Sequence, residues 1–127
     1  VDSTTLVNVD VEMGSRAVAA LDDAGLAPNV ALWGTLAEYG DGRLILASNH
    51  FDVASPLKAA GIVLPALRKG GIPAEQAPSL VILRMNDPFV VGLRRLFAKT
   101  KSVSGMRLGG QSLGGRFLED GYVYRIS

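Results

Sequence analysis

Two strand-forming runs, Val30 to Tyr39 and Arg43 to Ser48, are separated by Gly40-Asp41-Gly42. Glycine and aspartate in such a gap supply the turn conformations that reverse a chain within a few residues, so the segment predicts a β-hairpin. That prediction constrains the remainder. At least part of the sheet must be antiparallel, and the neighbouring helices must bury their apolar faces on it.

Three helices are predicted around the hairpin. Val7, Val11, Gly14, Val18 and Leu21 follow a four-three-four-three spacing, with Asn8 or Asp10 as the start and Gly25 as a left-handed terminator. Ser55 followed by Pro56 reads as an N-cap with proline in the first turn. Leu57, Ala60, Leu64 and Leu67 would supply the buried face of that helix up to Gly70-Gly71, and Pro65 would kink or split it. Asn86-Asp87-Pro88 opens the third, with Asp87 as cap and Phe89, Val90, Leu93, Leu96 and Phe97 as its apolar stripe.

Pro73 to Pro78 reads as a connecting loop, and Leu80-Val81-Ile82-Leu83 is a continuous apolar run of the kind expected in a central strand. The tail reads as strands at Met106 to Leu108, Arg116 to Leu118 and Tyr122 to Ile126, separated by glycine turns. The expected order is α-β-β-α-β-α-β-β, an α+β fold with a mixed, largely antiparallel sheet, as one domain over residues 1–127. No internal repeat or linker interrupts it.

Composition then restricts function. Apolar residues make up 48% of the chain, high for a domain of this size, and the apolar surface left over predicts a homo-oligomer or another partner site. No cysteine is present, which excludes disulfides, thiolate metal sites and a cysteine nucleophile. No apolar run approaches the roughly 20 residues of a membrane span. Val1-Asp2-Ser3-Thr4-Thr5 lacks the basic and apolar regions of a secretory leader, so a cytoplasmic location is expected.

Charge is unevenly spread. Residues 1–83 carry five basic and nine acidic side chains, a net −4, whereas residues 84–127 carry eight and three, a net +5. Arg94, Arg95, Lys99 and Lys101, with Arg107 and Arg116 on strands, are candidates for a phosphate-binding patch if they converge. Tyr122 and Tyr124, two apart on a strand, share a face and could serve as a stacking platform for bases.

Ala20-Leu21-Asp22-Asp23-Ala24-Gly25-Leu26, Ala31-Leu32-Trp33 and Arg43-Leu44-Ile45-Leu46-Ala47-Ser48 together resemble a stretch shared by a group of small bacterial proteins without an assigned activity. Ser104-Gly105-Met106-Arg107 and the run from Phe117 to Arg125 resemble the end of the same proteins. The resemblance implies a common fold unit and a bacterial setting. It assigns no catalytic or binding residue.

Chemical constellations are sparse. His50, the single histidine, lies two residues from Asp52 and could act with it as a general base or one arm of a metal site. One histidine cannot complete a histidine-rich metal site, so a loop residue is the simpler reading. Glu119 and Asp120 are adjacent, and neighbours on a strand point to opposite faces. A two-carboxylate site would need Asp52 or Glu38 as well. Gly105, Gly109, Gly110, Gly114 and Gly115 match neither phosphate-loop spacing and read as turns. Trp33 and Tyr39 would anchor a partner if their faces were exposed.

No cofactor is expected from these patterns. The reading that fits them best is a non-catalytic interaction or scaffolding domain that self-associates. A nucleic-acid-binding accessory using the basic C-terminal segment, and a small hydrolase or nuclease built on Asp52, His50 or Glu119, are the alternatives.

Overall fold

The computed structural model describes residues 8–127. Its elements are α1 (Asn8–Asp23), β1 (Val30–Leu36), β2 (Gly42–Ala47), α2 (Pro56–Lys69), β3 (Leu80–Ile82), α3 (Pro88–Leu96), β4 (Arg107–Leu113) and β5 (Arg116–Ile126). This is the α+β order read from the sequence. Val7, assigned by spacing to the inner face of the first helix, lies outside the described residues.

One five-stranded sheet runs β3-β2-β1-β5-β4. Every pairing is antiparallel except β2 with β3. Both faces are covered, which explains why β1 and β2 read as unbroken apolar runs rather than alternating ones. Ala31, Trp33, Leu44 and Leu46 pack with Ala17, Val18 and Leu21 of α1 and with Val63 and Leu67 of α2. Val30, Leu32, Ile45 and Ala47 pack on the other side with Phe89, Val90 and Leu93 of α3.

Local chemistry sets the boundaries. Gly25 adopts φ +76° after α1, and Gly40 adopts φ +79° in the β1–β2 turn. The Ser55 hydroxyl accepts from the Lys58 amide and Asp87 Oδ1 from the Phe89 amide, each followed by proline at the helix start. β1 ends at Leu36, earlier than its strand-forming residues suggest, because the Tyr39 and Gly40 amides both turn back to the Leu36 carbonyl.

Five expectations need correction. Leu96, placed in the apolar stripe of α3, is 50% exposed. Of the expected Leu57-Ala60-Leu64-Leu67 stripe of α2, Leu67 is buried and Leu64 packs partly against the core, but the fully buried residues are Ala59, Val63, Ala66 and Leu67, so the inner face is rotated away from Leu57. Pro65 does not split the helix; it and Gly61, four residues earlier, are both exposed, which leaves the Gly61 carbonyl facing water. The run from Leu80 to Leu83 contributes an edge strand, not a central one. The tail forms two long strands rather than three short ones, joined at Gly114-Gly115, and β5 absorbs register shifts opposite β1.

Side chains of β5 tie the layers together. The Arg125 guanidinium meets both Asp22 oxygens at 2.8 Å and holds that carboxyl below the usual aspartate range. Tyr124 reaches under α1, where its hydroxyl donates to the Val11 carbonyl at 2.6 Å, and Gly14 leaves room for it because a Cβ there would overlap the phenol oxygen. Burial, reinforced by Tyr122 and Asp10, raises the Tyr124 pKa above its ordinary value near 10.

A raised tyrosine pKa contributes stability that is complete below the unfolded value and is lost as pH rises through and beyond it. The wild-type chain should therefore lose stability above about pH 10, and Tyr124→Phe should flatten that loss while costing about 1 kcal/mol at neutral pH for the missing hydrogen bond. Urea melts at pH 7, 9 and 10.5 check both parts. An unchanged alkaline slope in the variant would refute the assignment.

Candidate functional site

The residues of the hydrolase reading are exposed or engaged by other partners. His50 is exposed in a short 3-10 turn, Asn49–Phe51, that follows β2, and its amide bonds to the Ser48 hydroxyl. Asp52 turns instead to Arg84, at 2.6 Å, and to the Met85 amide at 3.2 Å; these bonds depress its pKa, led by the one from Arg84. Glu119 is exposed, and Asp120 pairs with Arg107 at 3.1 Å. Glu38 binds Arg116 at 2.7 Å. Among the described residues, no group of three histidine, aspartate or glutamate side chains is placed to hold a metal ion.

The basic set divides in two. Arg107 is occupied by Asp120, and Arg116 by Glu38 and Asp87. Because Asp87 also caps α3, Arg116 joins the start of that helix to the β1–β2 turn and acts as a structural clamp. Arg94 and Arg95, in the last turn of α3, line a hollow with Thr100, Ile126 and Ser127, and Arg94 Nε donates to the main-chain oxygen of Ser127 at 2.8 Å. Lys99 and Lys101 flank Thr100 and are exposed.

The aromatic candidates also separate. Trp33 retains only 6% of its surface and belongs to the core beneath α1 and α2, so the exposed face that a partner anchor would require is not there. Tyr39 is exposed, with the Arg43 guanidinium 4.3 Å above its ring. Tyr122 and Tyr124 do share a face, but they pack inward, edge to face with centroids 5.3 Å apart, and offer no platform for bases.

Apolar surface is the feature left without an internal use. Leu57 is 83% exposed at the start of α2, and Ala60 and Leu64, three and seven residues on, are half-buried. The helix therefore carries two apolar sides, only one of which the fold fully covers. Its first turn lies over the end of β3, where Pro56 and Ala59 line a groove with Val53, Ile82 and Leu83. β3 itself has β2 on one side and no strand on the other among the described residues.

The sequence pattern found this stripe and assigned it to the core. Its true position depends on which side of α2 meets the sheet, a choice made by tertiary packing. The hollow beside Arg94 was missed, because Thr100 and Ile126 carry no local signal of their own. No helix among the described residues is long and apolar enough to cross a membrane. No protein-family model, curated protein or solved structure matches the chain.

Proposed function

We propose that the chain is a non-catalytic interaction domain that self-associates through the exposed side of α2 and the adjoining edge of β3. The exposed Leu57, standing beside the groove between α2 and β3, carries this reading. Edge strands are commonly protected by charge, proline or cover, whereas Leu80-Val81-Ile82 has neither charge nor proline. An uncharged edge repels no copy of itself, and a two-fold contact can set the same patch against itself. Arg84, the cation nearest the groove, is neutralised by Asp52. The engagement of Asp52, Asp120 and Glu38 by arginines supports a role without catalysis, and a cytoplasmic, bacterial setting accords with the cysteine-free composition and the sequence resemblance.

Light scattering after size exclusion should return a mass of two or more chains for the wild type, unchanged by high salt because the contact is apolar. Leu57→Lys should run as a single chain and retain wild-type stability to within about 0.5 kcal/mol, as expected for an exposed position. A wild-type chain that stays monomeric at several hundred micromolar would overturn the proposal.

A further inference from the structure

We propose that the hollow between α3 and the end of β5 binds a small amphipathic anion, an apolar body carrying a carboxylate or phosphate head. It lies on the α3 side of the sheet and is independent of the self-association reading. Its volume of about 470 Å³ falls within the range of small-molecule sites. Val91, Phe97, Ala98 and Ile126 give it an apolar lining, and Arg94, Arg95 and Thr100 supply polar groups around it.

The two guanidinium groups are distinguished by standing together at one hollow. Arg43, Arg84, Arg107, Arg116 and Arg125 each hold an aspartate or glutamate, whereas Arg94 and Arg95, like Arg16 and Arg68, pair with no aspartate or glutamate side chain among the described residues, and only Arg94 and Arg95 of these four line a hollow. Arg94 donates through its Nε to the main-chain oxygen of Ser127, which leaves its terminal nitrogens to donate elsewhere. The end of α3 contributes about half a negative charge, which two full positive charges outweigh. An arginine fork matches a carboxylate or phosphate through paired hydrogen bonds. Phe97 is buried within the wall and offers no free face for stacking a base, so an apolar tail fits the lining better than a nucleotide run.

Calorimetric titration of the full chain with decanoate and with decyl phosphate tests this, with decanol and inorganic phosphate as half-ligands. Both amphiphiles should bind at least about tenfold more tightly than either half-ligand, the gain expected from one charge-assisted contact. Their relative affinities distinguish a carboxylate from a phosphate source. The double variant Arg94→Gln, Arg95→Gln should weaken both amphiphiles by about tenfold or more and leave decanol unchanged. Ala98→Trp, which keeps the charges and fills the hollow from an exposed position, should abolish binding. Equal affinity for decanol and decanoate, or full binding by the Ala98→Trp chain, would overturn the proposal. So would amphiphiles that fail to bind while an oligonucleotide pool binds through Arg94 and Arg95.

Discussion

Replacing Gly114 by alanine is expected to cost about 3 kcal/mol or more, at the upper end for a surface turn. Gly114 sits at φ +55°, and a Cβ there would overlap the carbonyl carbon of Pro88 and the amide nitrogen of Phe89. Those are backbone atoms in the first turn of α3, held in place by the Asp87 cap and, through Asp87, by Arg116. They cannot swing aside as a side chain can. The β4–β5 hairpin must therefore lift from α3, the helix that packs Phe89, Val90 and Leu93 onto its face of the sheet. Gly115 provides the comparison: φ is +83°, nothing lies near a Cβ, and Gly115→Ala should cost only the left-handed penalty of about 1–2 kcal/mol. Urea denaturation of both variants measures the difference. If they were equally stable, the close approach between hairpin and helix would not be a support of the fold.

That contact also shows what can be read from sequence and what cannot. Glycine at position 114 reads as a turn, and the turn is there. Its tight packing against Pro88 is invisible because it depends on α3 arriving from 26 residues earlier. The same division holds for the helices. Ser55-Pro56 and Asp87-Pro88 marked starts correctly, since capping is a bond between residues two or three apart. The inner face of α2 was assigned correctly at Leu67 but rotated at its start, because Leu57 and Ala60 are as apolar as Ala59 and Val63. Periodicity alone cannot choose between two apolar stripes.

β3 illustrates a related ambiguity. A continuous apolar run indicates cover on both faces, and Val81 is indeed buried at the edge of the sheet. Cover on the faces says nothing about how many strands lie alongside, so the edge position was not legible. Charge behaved likewise. Eight cations in residues 84–127 were countable, but the pairing of Arg107 with Asp120 and of Arg116 with Glu38 and Asp87 arises from strand register and hairpin placement. Once those pairs form, Arg94, Arg95, Lys99 and Lys101 are the cations of that segment left without an aspartate or glutamate partner among the described residues, and of these Arg94 and Arg95 line the hollow.

Replacing Trp33 by alanine should cost about 3–5 kcal/mol, the range for emptying a buried aromatic site. The indole packs beneath α1 and α2, so the void would open the larger part of that core. Trp33→Phe separates packing from hydrogen bonding. The indole N–H has no acceptor among the described residues and points at Gly42, where a Cβ would lie 2.7 Å from Nε1. Removing an unsatisfied buried donor recovers about 1–3 kcal/mol, which offsets much of the volume lost in going to phenylalanine. The Phe variant should therefore remain within about 1.5 kcal/mol of the wild type, well separated from Ala. Denaturant melts read the stabilities, and light scattering on the same samples reads assembly. Trp33→Phe should keep the wild-type mass while Leu57→Lys loses it, because one residue supports the core and the other faces the partner. A Phe variant that is fully stable yet monomeric would place Trp33 in the interface after all, and would shift the self-association surface from the α2 and β3 edge to the hairpin.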